Sequence, residues 1–299
     1  MSRRITVQIC TFNRAPLAAR CLEALARVDF PADDFEIVLV DDGSSDGTGE
    51  VVKSIATRGR LRYLRQDHAG LASARNTGIR AAEGEVVLFI DDDTIPDPAL
   101  LSEHWKTHER HPGSVVLGWV NHVDGDRPPS ARRFALADFS TSFFWTSNAS
   151  VGRSDLMAAG LFDEEFTEYG WEDLELGERL RARGLTRRRN YRAVVSHVKP
   201  RWRAEDLPGL LRRAEASGRS AVIYVRKRRS LHARLATGVT PWRIWLNEPL
   251  RLGEGWCRRR IERAGDGRLG PLNRLGVHLM IRTHYFRSVK AAIKASSIG

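Results

Sequence analysis

The sequence predicts an α/β fold, a mostly parallel central sheet flanked by helices, followed by a basic and largely helical C-terminal region. Three observations carry this. Apolar, β-branched runs alternate with stretches of helical periodicity across short turns up to about residue 200. Two of those runs, Phe35–Val40 and Val87–Ile90, stop abruptly in aspartates. Charge is divided unevenly: residues 1–199 hold 26 Lys and Arg against 30 Asp and Glu, whereas residues 200–299 hold 22 against 7. The first part is therefore net −4 and the last third +15.

Ile5–Cys10 is rich in β-branched residues and reads as the first strand. Thr11–Arg14 is a turn, and Ala15–Val28 is a helix with Leu17, Cys21, Leu22 and Leu25 on one face. Phe35–Val40 is a buried second strand that ends in the polar turn Asp41–Thr48, and a helix follows through Ala56. Leu61–Arg65 is a short third strand, Gly70–Ala82 a helix, and Val87–Ile90 a fourth strand. After Asp97-Pro98 an amphipathic helix runs to about His111, and Ser114–Val120 is a strand. Asp124–Pro129 reads as a loop and Ala131–Phe139 as a short helix. Phe143–Val151 mixes aromatic and small polar residues and is expected to cross the sheet. Leu161–Phe166 is a loop before a helix that starts near Gly170-Trp171-Glu172-Asp173, with acids at its positive N-terminus. Ala193–Val198 is a strand carrying His197 at its end. Glu205–Arg229 is a long helix that Gly218 is expected to break, and Leu272–Lys294 is a final helix.

A chain of 299 residues can bury a sizeable core, and 42% apolar with 28% charged residues is ordinary for a globular protein. Cys10, Cys21 and Cys257 are odd in number and lack metal spacing, which points to a reducing, cytoplasmic setting. No signal-peptide core and no run of eighteen apolar residues is present. The basic last third predicts an anionic partner. Trp242, Trp245 and Trp256 lie among arginines, so the expected partner of residues 240–299 is an anionic membrane surface, at the inner face. No nucleic-acid module is recognisable, and a homo-oligomer built on this region is the remaining expectation.

The acidic strand ends set the chemistry. A buried strand ending in Asp91-Asp92-Asp93 gathers like charges that repel and resist desolvation, and a divalent cation would remove that conflict. In an open α/β sheet the carboxyl ends of the strands are where ligands bind. Asp41-Asp42 ends a second strand in the same way.

Thr11-Phe12-Asn13-Arg14, Val40–Thr48, Ala72–Gly78, Phe89–Asp93 and Gly170–Asp173 together resemble the family 2 glycosyltransferases, in that family's order and spacing over about residues 3–200. The resemblance implies a GT-A fold over 1–203, with a nucleotide-binding half (1–95) and an acceptor and catalytic half (96–203), and 204–299 as the basic extension. It implies a nucleotide diphosphate-sugar donor, a UDP-sugar in the first instance, and inversion at the anomeric carbon. It also implies a divalent Mn²⁺ or Mg²⁺ and a glycan or lipid-linked acceptor. By resemblance Asp93 contacts the metal directly, with Asp91 as a further ligand, Asp92 on the donor side, and His197 as an additional metal ligand. One of Asp41 and Asp42, with Asp42 preferred, accepts a hydrogen bond from the base. Cys10, Thr11 and Phe12 line the base pocket, and Asn13 and Arg14 face ribose and phosphates. Arg75 is either a diphosphate contact or part of a structural ion pair. Asp173 is the catalytic base, beside Glu172 on acceptor or sugar hydroxyls. Trp171, Trp145 and Asn148 are expected on the acceptor side, Trp171 either as a stacking face or as a core residue. A non-catalytic nucleotide-sugar-binding scaffold is the alternative from another class. A nucleotidyltransferase would require a basic Gly-rich loop that Thr11–Arg14 does not provide.

Overall fold

The structure, a computed structural model, describes residues 3–124, 142–199, 202–263 and 269–296. The short helix expected over Ala131–Phe139 and nearly all of the loop before it lie outside the described residues. Two compact units are present: Met1–Thr167 with Asp173–Lys199, and Glu168–Glu172 with Pro200–Gly299.

The first unit is built on one mixed sheet of eight described strands. They are β1 (Arg3–Thr11), β2 (Phe35–Asp41), β3 (Arg60–Arg65), β4 (Gly84–Ile90), β5 (Thr94–Pro96), β6 (Ser114–Asp124), β7 (Asn148–Gly152) and β8 (Thr186–Lys199). Their order is β3-β2-β1-β4-β7-β6-β8-β5. The first four are mutually parallel, β7 is antiparallel to both neighbours, β6 and β8 are parallel, and β5 closes the edge antiparallel to β8. Helices α1 (Ala15–Leu25), α2 (Thr48–Ser54), α3 (Leu71–Ala81), α4 (Leu100–Arg110), α5 (Arg153–Ala158) and α6 (Glu172–Ala182) connect them. Ile5, Val7 and Ile9 of β1 share one core with Ile37 and Leu39 of β2 and with Cys21, Leu22 and Leu25 of α1. Val38 and Val40 face the other way and pack with Ala74 of α3. Strands buried on both faces explain why their sequences are continuous apolar runs.

Chain order reverses beside β1. The connections through α1 and α2 lead outward to β2 and β3, whereas α3 returns the chain to β4 on the opposite side of β1. That reversal leaves a crevice between the carboxyl ends of β1 and β4, where ligands of such sheets bind.

The structure extends or corrects several expectations. β8 begins seven residues before the apolar run, at Thr186, because pairing with Ser114–Leu117 of β6 recruits the Arg-rich segment Thr186–Arg189 as backbone while its guanidiniums stay exposed or half-buried. β5 is three residues long and α5 six, too short for a periodicity. The crossing stretch expected over Phe143–Val151 forms a strand only from Asn148.

The second unit is helical: α7 (Leu207–Arg228), α8 (Leu231–Thr237), α9 (Pro241–Asn247), α10 (Glu254–Glu262) and α11 (Pro271–Ser296). α7 and α11 run side by side in the same direction, with Glu215 on His284, Gly218 on Ser288 and Arg226 on Ser296. Gly218 does not break α7. A Cβ there would lie 2.5 Å from the Tyr285 carbonyl oxygen, so the glycine is where the two backbones approach. His284 bridges Glu215 (2.6 Å) and Glu254 (2.9 Å) and so ties α7, α10 and α11 together. No helix among the described residues is long and apolar enough to cross a membrane.

Candidate active site

The crevice at the chain reversal is closed by hydrogen bonds between the two strand ends. Thr11 Oγ1 donates to Asp92 Oδ2 (2.9 Å), and Arg14 donates to Asp92 Oδ1 (2.9 Å) and to Asp93 Oδ2 (3.3 Å). Burial pushes the Asp92 carboxyl up to about 6, against the opposing pull of Arg14. Arg14 is itself raised: Asp92 and Asp93 more than offset the lowering that burial imposes.

The three aspartates divide. Asp92 turns to β1, whereas Asp91 and Asp93 gather with His197, with one ligand atom from each lying within 4.8 Å of the others. His197 Nε2 is 2.9 Å from Asp93 Oδ1. β5, the short strand after the aspartates, pairs antiparallel with the end of β8 and sets Thr94 opposite His197. The backbone of Val198 also donates to the Asp93 carbonyl (3.1 Å). Ser147 Oγ, just before β7, donates to Asp91 Oδ2 (2.5 Å) and fixes its orientation. Two carboxylates and an imidazole at this spacing are a donor set that fits a divalent cation of the Mn²⁺ kind. Ser147 was not singled out in the sequence, where a lone serine in a polar-aromatic stretch carries no signal.

On the other flank, Asn13 adopts a left-handed backbone (φ 52°) and locks the turn after β2: its N–H donates to Ser44 Oγ (2.8 Å), and its side-chain oxygen accepts from the Ser45 N–H (2.8 Å). Asp41 accepts from the Ser44 N–H (2.8 Å) and from Tyr63 OH (2.6 Å). Asp42 is more heavily used. It accepts from Gln66 Nε2 (2.7 Å), the Ala69 N–H (3.0 Å) and the Gly70 N–H (3.0 Å), and His68 Nδ1 lies 2.9 Å away. A carboxylate has about four acceptor positions. Asp42 spends them on the loop that launches α3, whereas Asp41, equally buried, carries two hydrogen bonds, one on each oxygen. Phe12, 41% exposed, stacks on the His68 ring (4.2 Å, 22°) and makes a flat aromatic platform at the end of β1. Cys10 accepts a hydrogen bond from Gln8 Nε2 (3.0 Å), and burial pushes its thiol up to about 12, so it stays protonated.

Arg75 is buried, donates to Thr146 Oγ1 (2.6 Å) and lies over the Phe162 ring (5.2 Å). Its neighbour Asn76 clasps the loop after α5 through the Phe162 carbonyl and N–H. Trp145 is half-buried, packs against the main core and faces His122 (6.5 Å). Asn148 is corrected. It is buried inside the sheet, where its amide donates to the carbonyls of Trp119 and Ala193 (both 3.0 Å) and its oxygen meets His104 Nε2 (2.9 Å). Those bonds join β6, β7, β8 and α4, so its amide acts as a structural bridge and is not available to an acceptor. Gly118 makes room for it: a Cβ there would meet Asn148 Nδ2 at 2.2 Å.

Asp173 lies in the first turn of α6, buried, with its Oδ1 accepting from the Leu174 N–H (2.8 Å). Glu172 precedes it as the first residue of the helix. Within the second unit Trp171 has a left-handed backbone (φ 75°), donates from Nε1 to the Ser217 carbonyl (2.9 Å) and stacks on Tyr224 (6.2 Å, 9°). Of the two readings open for it, the packed one describes these contacts: one ring face and the indole N–H are taken by α7.

The model of the family described as glycosyl transferase family 2 matches residues 6–163, more than half of the chain. The chain belongs to glycosyl transferase family 2. It is similar to validoxylamine A glucosyltransferase of Streptomyces hygroscopicus subsp. jinggangensis (strain 5008), 35% identical over 219 residues, covering 60% of this chain and 52% of the relative. It is also similar to the poly(ribitol-phosphate) beta-N-acetylglucosaminyltransferase TarS of Staphylococcus aureus, 31% identical over 130 residues, covering 43% and 23%. The chain spans about half the length of the first curated relatives it matches. Among solved structures it resembles the Pyrobaculum calidifontis mannosyltransferase PcManGT in complex with GDP-Man and Mn²⁺, with TM-score 0.55, 21% identity, and coverage of 100% of this chain and 76% of that one. It resembles TarS 1–349 in complex with UDP-GlcNAc with TM-score 0.57, 18% identity, and coverage of 98% and 92%. The mixed, mostly parallel sheet with flanking helices is accordingly the GT-A-like fold that the motifs lead one to expect.

Proposed function

We propose that this chain is a metal-dependent, inverting glycosyltransferase that moves a sugar from a nucleoside diphosphate-sugar, a UDP-sugar in the first instance, to a hydroxyl of a glycan or lipid-linked acceptor in surface-glycan synthesis. The observation that carries the reading is the convergence of Asp91, Asp93 and His197 beside Thr11, Arg14 and Asp92 at the chain reversal of the sheet. Family membership supports the reaction class, and the donors held by the solved relatives, UDP-GlcNAc and GDP-Man, support the donor class.

The base stacks on the Phe12–His68 platform, and its N–H meets Asp41. Asn13 and Arg14 face the ribose and diphosphate. Asp91, Asp93 and His197 would hold the divalent cation, which as a Lewis acid offsets the charge of the diphosphate leaving group. Asp173 takes the proton of the acceptor hydroxyl as its oxygen bonds to the anomeric carbon, opposite the departing diphosphate. The sugar–phosphate C–O bond breaks, and its electron pair leaves with the nucleoside diphosphate. Glu172 contacts acceptor or sugar hydroxyls.

The test is a panel of nucleotide sugars with Mn²⁺ or Mg²⁺, read by thermal shift and by release of nucleoside diphosphate. A bound donor raises the melting temperature by mass action. Asp173→Asn keeps that shift and lowers turnover by about 10²–10⁴-fold, the usual contribution of a general base. A thermal shift without turnover in the wild-type chain would favour the scaffold reading. No shift with any donor, or an unaltered rate in Asp173→Asn, would defeat the proposal.

A further inference from the structure

The helical second unit carries a surface that the sugar-transfer reading does not use. Along α9 and the turn after it, Trp245 is 72% and Leu252 90% exposed, and Trp256 on α10 is 60% exposed. Leu246 on α9 and Leu272 and Leu275 on α11 are also at least half exposed. The inner faces of the same helices are accounted for: Cys257 and Ile261 of α10 pack with Val277 and Met280 of α11. The outer apolar side chains are therefore not spillover from an under-filled core.

Beside Trp256 lies a recess of about 330 Å³ lined by Trp256, Arg259, Arg260, Arg263 and Asn273, with no acidic residue in its wall among the described residues. Arg260 donates to Asn273 Oδ1 (3.1 Å), and its guanidinium lies over the Trp256 ring (5.5 Å). That geometry orients one guanidinium, with Arg259 adjacent in the same turn and Arg263 about one turn on. Three guanidiniums around an opening form a set of charged N–H donors for a phosphodiester oxygen.

We propose that this face of α9, α10 and α11 docks on an anionic phospholipid membrane, with a lipid phosphate in the Arg259/Arg260/Arg263 recess and Trp245, Leu252 and Trp256 in the interfacial layer. Aromatic side chains beside arginines are what a segment lying at the headgroup level requires. The aliphatic members decide against nucleic acid: Leu246, Leu252, Leu272 and Leu275 offer no ring on which a base stacks, whereas an acyl boundary buries them.

Flotation of the full chain with mixed phosphatidylcholine–phosphatidylglycerol vesicles and with pure phosphatidylcholine vesicles tests this. The chain is expected to float with the mixed vesicles only, to be released by salt, and to show a blue shift of tryptophan emission on binding. Each arginine near such a surface contributes about 1 kcal/mol, so Arg259→Gln/Arg260→Gln/Arg263→Gln lowers partitioning by about a hundredfold. Trp245→Ser lowers it independently, and this variant decides if the triple variant melts early. Equal recovery with both vesicle types overturns the proposal. So do unchanged partitioning of both variants, or tight binding of a nucleic-acid oligomer without vesicle binding.

Discussion

Two histidines buried beneath the candidate site give the fold a calculable sensitivity to acid. His104 of α4 is fully buried, with Nδ1 2.7 Å from Ser150 Oγ and Nε2 2.9 Å from Asn148 Oδ1. His108, one turn on, places Nε2 2.8 Å from the same Ser150 hydroxyl. Burial lowers His104 to about 3 and His108 to about 4. In the unfolded chain both titrate near 6.5. Between those values the unfolded state binds more protons, so stability is fully present above about 6.5 and is lost as pH falls below it. From pH 7 to 5.5 each histidine removes about 1 kcal/mol, roughly 2 for the two. Asp92 acts in the opposite direction. Its native carboxyl is raised to about 6, so it takes up a proton over the same interval. That returns part of the loss, under about 1 kcal/mol, and leaves a net loss with acidification. Urea melts at pH 7.0 and 5.5 at matched ionic strength read this directly. His108→Gln removes one histidine contribution and leaves that of Asp92 in place, so its loss over the interval should be smaller by about 1 kcal/mol. A variant that loses as much as wild type would refute the buried, neutral network. The consequence reaches the site, because this network bridges the strands that carry Ser147 and His197 toward Asp91 and Asp93.

Three further outcomes follow from the geometry. Asp93→Asn and His197→Ala should each weaken Mn²⁺ binding in titration calorimetry by more than tenfold, and Ser147→Ala, which only orients Asp91, by about tenfold; a Ser147→Ala affinity equal to wild type would leave that hydrogen bond without a role. Gly118→Ala should destabilise the chain by about 1–3 kcal/mol or more, because its Cβ would collide with the Asn148 amide and the Ala193 carbonyl, and a melting temperature within a degree of wild type would count against the close approach. Asp41→Asn should weaken the thermal shift given by a UDP-sugar more than Asp42→Gln does once each variant is referred to its own melting temperature; the reverse order would restore Asp42 as the base contact.

The parallel half of the sheet was legible because β1, β2 and β4 are buried on both faces and write that burial as uninterrupted apolar runs. The other half was legible only in part: β6 and the end of β8 were read as strands, and the stretch holding β7 was expected to cross the sheet without its bounds. β7 is central, yet Asn148 and Ser150 sit within it as buried polar groups, and they are tolerated only because His104, His108, Trp119 and Ala193 satisfy them. Those partners lie between about 30 and 45 residues away in sequence, so no local period could reveal the strand. The first half of β8 is hidden for the converse reason. Its arginines point outward, and pairing with β6 supplies what apolar content does not. Gly218 misled because a glycine in a helix reads as a weakness, whereas here it is the contact point with α11. Trp171 was ambiguous because an indole suits a sugar and a core equally, and its N–H and one ring face lie on Ser217 and Tyr224.

The order of roles within Asp91-Asp92-Asp93 could not be read from three identical letters, but it follows once their neighbours are known. The chain leaves β4 in a turn, so the middle carboxylate faces β1 while the outer two face β7 and β8. Asp92 meets Thr11 and Arg14, which only partly offset the burial that raises its carboxyl to about 6. Asp91 meets a serine hydroxyl, and Asp93 lies between a histidine and the more distant contact with Arg14. One carboxylate oxygen of Asp91, one of Asp93 and a ring nitrogen of His197 lie within 4.8 Å of one another, a spacing that a divalent cation could bridge. The motif is therefore divided between two partners: the middle residue is held by the protein's own arginine, and the outer pair meets His197 at a site that a divalent cation would fill.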